Sequence, residues 1–204
     1  MLNNGAQGQS LLIVISAPSG TGKTTLCDNI CLSLPSATRA ITCTTRVPRS
    51  GEEDGVDYYF LNETEFLARV EGGEFLENAH VYGNHYGILK SEVRTKLAEG
   101  KDVLLNIDVQ GASTIIERAV DDLILGSSLV TVFLCPANLG QLEKRLRGRG
   151  DDSEEEIIRR LAIAETEIAQ KTIFDHVLVS GTRGDDLEAL IKLIDLERVS
   201  RNKS

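Results

Sequence analysis

The chain has 204 residues, 41% of them hydrophobic, and carries a formal charge of −9. That length supports one well-buried α/β domain with room for a small inserted lobe. The acidic balance argues against binding to nucleic acid or an anionic membrane, and the longest apolar run, Leu11–Ile15, is far too short to span a bilayer.

Residues 1–9 are polar and lack a basic n-region, so they read as a frayed tail and not as a signal peptide. The run Leu11–Ile15 then reads as a short buried strand. It feeds directly into Ala17-Pro18-Ser19-Gly20-Thr21-Gly22-Lys23-Thr24, after which Leu26, Ile30 and Leu34 recur on one face of a helix. Strand, glycine-rich turn and helix in that order form the context of a phosphate-binding loop. Gly20 and Gly22 allow the backbone N–H groups to curl inward, Lys23 supplies a point charge, and Thr24 can ligate Mg²⁺. Ala17 stands where glycine is usual in such loops.

Four cysteines, Cys27, Cys31, Cys43 and Cys135, form no Cys-x-x-Cys pair. Cys27 and Cys31 are four apart on the first helix, but no nearby His or Cys completes a metal site. They read as reduced core thiols, which suits a cytoplasmic compartment.

Beyond Pro35, Arg39–Cys43 reads as a strand and residues 44–55 as a polar loop punctuated by Pro48, Gly51 and Gly55. Tyr58–Phe60 is a strand, Glu63–Val70 a helix, Glu74–Tyr82 a strand and Gly83–Gly87 a turn, followed by a helix over Lys90–Glu99. These β-rich signals, lying between α/β stretches, mark residues 40–91 as an inserted lobe. The alternation then resumes. Val103–Ile107 is a strand presenting Asp108 and followed by a helix to Val120. Leu129–Leu134 is the next strand, and Asn138–Leu146 the helix after it. A glycine break at Gly148 and Gly150 precedes a long helix from Ser153, where Ser153 and Glu156 match a capping box. His176–Val179 and Asp185–Val199 close the pattern as strand and helix. Parallel pairing with helices on both sheet faces follows from the alternation.

Three clusters sit where a phosphate-handling α/β enzyme needs them. Arg46 and Arg49 flank Val47-Pro48, and two guanidinium forks on a stiffened loop suit a phosphate dianion; Tyr58 and Tyr86 can add hydroxyls to the same anion. Two arginines alone read more readily as solvated loop charge. Glu77, in a partly apolar strand, can accept from the N1 and N2 edge of guanine, whereas adenine offers an unprotonated N1. An exposed strand carboxylate is an equal reading of that residue alone. Arg145, Arg149 and Arg160 flank the glycine break, where they either close over a transferring phosphoryl group or pair with Asp151, Asp152 and residues 154–156.

Together these residues resemble guanylate kinase, a P-loop nucleoside monophosphate kinase family, from Ile13 to about Leu196. The motifs that carry the resemblance are Ser16–Lys23, Thr44–Glu52, Asp57–Phe60, Phe75–Glu77, Gly83–Gly87, Ile107–Gly111 and Arg145–Gly150. The resemblance implies a three-layer P-loop fold with a parallel core sheet, an inserted α+β GMP-binding lobe and a helical lid. Its divisions would be a core of residues 1–39, 92–137 and 154–204, the lobe of 40–91, and a lid of 138–153. It implies ATP on Ala17, Pro18, Ser19, Gly20, Thr21, Gly22, Lys23, Thr24 and Thr25. GMP would lie against Thr42, Arg46, Arg49, Glu52, Tyr58, Glu77, Tyr86 and Asp108, with Thr42 and Glu77 facing guanine and Asp108 near the ribose or the water shell of Mg²⁺. Lys23, Arg145, Arg149 and Arg160 would carry catalysis.

The implied reaction is ATP + GMP ⇌ ADP + GDP in a cytoplasmic enzyme of purine nucleotide metabolism, with dGMP as a further acceptor. The alternative is a catalytically silent guanylate-kinase-like interaction module. His80, His85 and His176 receive no role. Three positions depart from the family pattern: Asn106 replaces an Asp, Ser180 stands where an adenine-contacting Asn is expected, and Ile88 replaces a hydroxyl residue. Ile88 either packs into the lobe or leaves a guanine contact to water or Thr42. Ile88→Thr is expected to lower the KM for GMP by a few-fold, with kcat and the KM for ATP nearly unchanged.

Overall fold

The computed structural model describes residues 9–81, 83–148 and 153–201. Its first strand, β1 (Leu12–Ser16), is buried along its whole length and leads through the loop into α1 (Lys23–Ser33). Alternate side chains of this segment serve opposite faces of the sheet. Leu11, Ile13 and Ile15 pack with Leu26, Cys27 and Ile30 of α1, while Leu12 and Val14 join a second apolar cluster. Each such side chain contributes about 1.5–3 kcal/mol on burial, so both helical layers are fastened to this one strand.

The chain continues through β2 (Ala37–Arg39), β3 (Thr42–Thr44), β4 (Tyr58–Phe60), α2 (Glu63–Glu71), β5 (Phe75–Val81), β6 (Asn84–Leu89) and α3 (Lys90–Ala98). Next come β7 (Asp102–Asn106), α4 (Val109–Ala119), α5 (Leu123–Ser128), β8 (Leu129–Pro136), α6 (Leu139–Arg147) and α7 (Glu154–Ala169). A short 3-10 turn, β9 (His176–Ser180) and α8 (Arg183–Arg201) complete it. Five strands form a parallel sheet in the order β2-β7-β1-β8-β9. The other four form a separate sheet, β4-β3-β6-β5, in which β6 runs antiparallel to both neighbours.

The strand expected over Arg39–Cys43 is two strands in different sheets. β2 pairs with β7 in the parallel sheet, and β3 pairs with β4 and β6 in the other. Ala40 and Ile41 make the crossing, with Ile41 N donating to Glu92 Oε1 at 3.0 Å. No glycine or proline marks the crossing, so the sequence conceals it. The turn expected at Gly83–Gly87 is largely β6, and only Gly83 turns, at φ 77°. Gly87 belongs in the strand because a Cβ there would meet the Phe75 ring at 2.8 Å.

Helix α5, only six residues long, is too short to show a periodicity in the sequence; Asp122 caps it by accepting from Ile124 N and Leu125 N, both at 3.1 Å. At α7 the capping box is half realised. Ser153 accepts from Glu156 N at 3.3 Å, while the Glu156 carboxylate turns to Arg159 and Arg160.

A buried carboxylate ties the back of the parallel sheet together. Asp102 accepts from Leu11 N at 3.0 Å, from Ser36 Oγ at 3.1 Å and from the Arg198 guanidinium near the end of α8. The opposite, carboxyl ends of β1, β7, β8 and β9 are thereby left to carry the loops of the site.

Candidate active site

The loop after β1 bends through two left-handed glycines, Gly20 at φ 90° and Gly22 at φ 112°. Gly22 caps α1 without a side chain, so the first-turn N–H groups have no partner within the helix. Ala17 is buried, and its carbonyl accepts a hydrogen bond from Lys23 Nζ. Burial pulls the Lys23 ammonium below its usual pKa, against the opposing charges of Glu167 and Asp108. All three side chains line one cleft of about 280 Å³, together with Ala17, Pro18, Ser19, Gly20, Gly22, Thr24 and Thr25. Glu167, on α7, went unnoticed in the sequence because it sits among other glutamates of an amphipathic helix. Burial raises its pKa, Lys23 opposes that shift and Asp108 reinforces it.

The departure at Asn106 stands behind the cleft residue Thr24, to whose Oγ1 its Nδ2 donates at 3.0 Å. Asp108 caps α4 through a 2.8 Å bond from Gly111 N. Hard oxygen donors from Thr24, Asp108 and Glu167 around a lysine are a donor set that fits Mg²⁺ carried on nucleotide phosphates.

A second cleft of about 540 Å³ adjoins the loop, lined in part by Thr25, Asn29, Arg145, Thr182, Arg183 and Asp186. Arg145 spans its wall, donating to Thr21 O at 2.7 Å and to Gly181 O at 3.3 Å. Ser180 is buried, accepting from Arg145 Nη1 at 3.4 Å and donating to Asp186 Oδ2 at 2.9 Å. The position expected to carry a base contact therefore supports the loop, and Gly181, Thr182 and Asp186 face the cleft instead. Helix α6 closes on the phosphate loop: a Cβ on Gly20 would meet Leu146 at 3.0 Å and Leu142 at 3.3 Å. Arg160 reaches Ser19 Oγ at 3.4 Å from α7. Arg149 lies outside the described residues.

On the second sheet, Arg46 stacks over Tyr58 at 5.3 Å from the ring centroid and grips Glu52 with bonds of 2.8 and 2.9 Å. Tyr86 meets Tyr58 edge-on at 6.4 Å. Glu52 also accepts from Arg49 N at 2.8 Å, while the Arg49 side chain is exposed. With bonds to both arginine positions, Glu52 supports the arginine loop. Thr42 is half-buried and in register with Tyr58.

Glu77 is only 7% exposed, and no protein group among the described residues hydrogen bonds its carboxylate. Burial, with the nearby Asp108 carboxylate, pushes its pKa up to about 7 against the opposing charge of Arg118. Its Oε2 lies 3.1 Å from where a Cβ on Gly111 would stand. With little solvent and no donor from the described residues, this carboxylate is open to a donor from outside the chain.

No helix among the described residues is long and apolar enough to cross a membrane. A sequence model of the guanylate kinase family matches residues 9–197. The chain is 41% identical to a guanylate kinase of Cereibacter sphaeroides over 96% of its own length and 90% of that protein's. It is 39% identical to one of Thermotoga maritima, covering 94% of this chain and 90% of the other. Its fold matches a crystal structure of guanylate kinase from Anaplasma phagocytophilum at a TM-score of 0.67 and 28% identity, covering 94% of this chain and 87% of that one. Phosphate loop, parallel sheet and inserted second sheet agree with these matches along almost the whole chain, which belongs to the guanylate kinase family.

Proposed function

We propose that the protein transfers the γ-phosphoryl group of ATP to GMP, and also to dGMP, giving ADP and the guanosine diphosphate. The observation that carries the acceptor assignment is Glu77, a buried carboxylate whose missing partners match the two adjacent N–H donors of guanine. Residues 40–91 act as the GMP lobe, with Arg46, Arg49, Tyr58 and Tyr86 taking its phosphate and Thr42 beside the base. Residues 1–39, 92–137 and 154–204 act as the core, and 138–153 as the lid.

Phosphoryl transfer asks the protein for alignment and charge neutralisation more than for a strong base. Lys23 holds the donor's terminal phosphates, first-turn N–H groups of α1 cradle them, and Arg145 and Arg160 approach from α6 and α7. Thr24, with Asp108 and Glu167 around its water shell, would hold the Mg²⁺ that arrives with ATP and neutralises phosphate charge. A silent interaction module has no need of the dry Lys23 and unpaired Glu77, and no feature of the site favours one.

A coupled ADP-release assay with GMP, dGMP, AMP and UMP tests the proposal. Turnover with the two guanine nucleotides and little with the others is expected. No turnover, or preference for AMP or UMP, would overturn it.

A further inference from the structure

Consecutive residues of β5 belong to two different cores. Phe75 stacks on Phe66 at 4.4 Å in the small core of the second sheet, whereas Leu76 packs with Leu12, Val14 and Ile88 in the main core. The pairing of β5 with β6 slips between them: Phe75 faces Leu89, but Glu77 faces Ile88, so Leu76 is an extra residue in the ladder. A bulge of this kind re-aims the next side chain and leaves backbone groups to be satisfied from elsewhere. The next side chain is Glu77.

The satisfying group is Arg118, near the end of α4. Its residue is largely exposed, yet Nη1 reaches in to donate to Phe75 O at 2.7 Å and Leu76 O at 2.5 Å. One guanidinium nitrogen thus holds both carbonyls of the bulge, and α4 is the same helix whose first turn, at Asp108 and Gly111, borders the Glu77 carboxylate. We infer that Arg118 is a positioning residue for acceptor recognition: by clamping the bulge to α4 it fixes the direction in which Glu77 presents its carboxylate to the guanine edge. The inference rests on the reading of Glu77 as the guanine contact.

Arg118 also acts through charge. Of the charges felt at Glu77, Asp108 disfavours ionisation and Arg118 favours it, and both stand on or at the cap of α4. Removing Arg118 therefore loosens the bulge and makes the carboxylate harder to ionise.

The test is a double-mutant cycle of Arg118→Ala with Glu77→Gln, measuring KM for GMP, KM for ATP and kcat across pH 6–9. In the wild-type background, Arg118→Ala should raise the GMP KM about tenfold, as expected for loss of a charge-assisted pair. It should leave the ATP KM unchanged and move the midpoint of the GMP KM profile to higher pH. In the Glu77→Gln background it should change the GMP KM by less than about twofold, because coupled residues do not add. Arg118→Lys, which keeps a donor and a charge, should recover most of the loss; Arg118→Met, which keeps the apolar stem but neither donor nor charge, carries the same comparison if Arg118→Ala does not fold. An unchanged GMP KM, equal losses in both backgrounds, or an ATP KM that rises in step would overturn the inference. If Glu77→Gln itself leaves the GMP KM intact, the base-contact reading fails and this inference fails with it. Loss on Glu77→Gln without loss on Arg118→Ala would sink the inference alone.

Discussion

Asn106 donates through Nδ2 to the hydroxyl oxygen of Thr24 at 3.0 Å, joining the end of β7 to the first turn of α1. The family pattern has an Asp at this position, whose carboxylate could only accept from Thr24. Asn106 instead leaves the Thr24 proton free for another acceptor and removes one negative charge from the phosphate cleft.

Asn106→Ala should therefore release Thr24 and lower kcat/KM for ATP about fivefold, the worth of roughly 1 kcal/mol for a neutral bond. Asn106→Asp should reduce the Mg²⁺ concentration needed for half-maximal rate, because it restores a charge that attracts the cation. Steady-state assays titrated with ATP and with Mg²⁺ check both.

Glu77 makes a stability prediction with a definite sign. Its carboxyl is raised from 4.5 to about 7 in the folded protein, so between these values the folded state holds a proton that the unfolded chain has released. Stability is fully supported below pH 4.5, falls as pH climbs through the window to about 7, and stays at the lower level above it. Glu77→Gln removes the ionisation, so at pH 8 it should stabilise the protein by on the order of 3 kcal/mol at most. The gain should vanish near pH 4. Thermal melts at the two pH values measure it, and a variant less stable than wild type at pH 8 would contradict the dry carboxylate.

Gly111 lies within the first turn of α4, where an added Cβ would stand 3.1 Å from Glu77 Oε2 and 3.5 Å from Asp108 Oδ1. Gly111→Ala gains helix propensity worth about 1 kcal/mol but forces the carboxylate aside. Stability should hold or rise while the GMP KM increases several-fold and the ATP KM stays put. Melting temperature and the two KM values separate these effects.

Ile88 is 3% exposed and packs with Leu12, Val14 and Leu76. It joins the second sheet to the main core. The expectation that Ile88→Thr would tighten GMP binding therefore gives way to another. Loss of methyl packing and burial of a hydroxyl should cost about 1–3 kcal/mol of stability with no fall in the GMP KM. Denaturant titration reads the cost.

The phosphate loop and the parallel sheet were legible because strand burial, glycine placement and helix periodicity agree locally. Leu11–Ile15 followed by Gly20, Gly22 and Lys23 needs no distant information. What stayed hidden depends on partners far along the chain. The crossing at Ala40 and Ile41 is decided by which sheet each half pairs with. Gly87 reads as turn chemistry until the Phe75 ring is seen lying over it. Ile88 could be assigned to core or pocket only once its neighbours from β1 and β5 were known. Glu167 and Arg118 are ordinary charged residues on amphipathic helices, and their parts emerge from contacts with Lys23 and with the bulge of β5. Glu52 was identified by its place in the arginine motif, but its supporting part shows only in its bonds to Arg46 and Arg49.

The most direct test of the account is kcat/KM for GMP and for AMP, measured at pH 8 on the wild-type protein and on Glu77→Gln. The amide can satisfy at most one of guanine's two N–H donors, and it opposes the other with a donor of its own. The account predicts a loss of about 2–4 kcal/mol in transition-state stabilisation for GMP, some thirtyfold to a thousandfold, and a much smaller change for AMP. Discrimination between the bases should collapse accordingly. Equal losses for the two nucleotides, or an undiminished rate with GMP, would contradict the assignment of Glu77 and, with it, the placement of the acceptor on the second sheet.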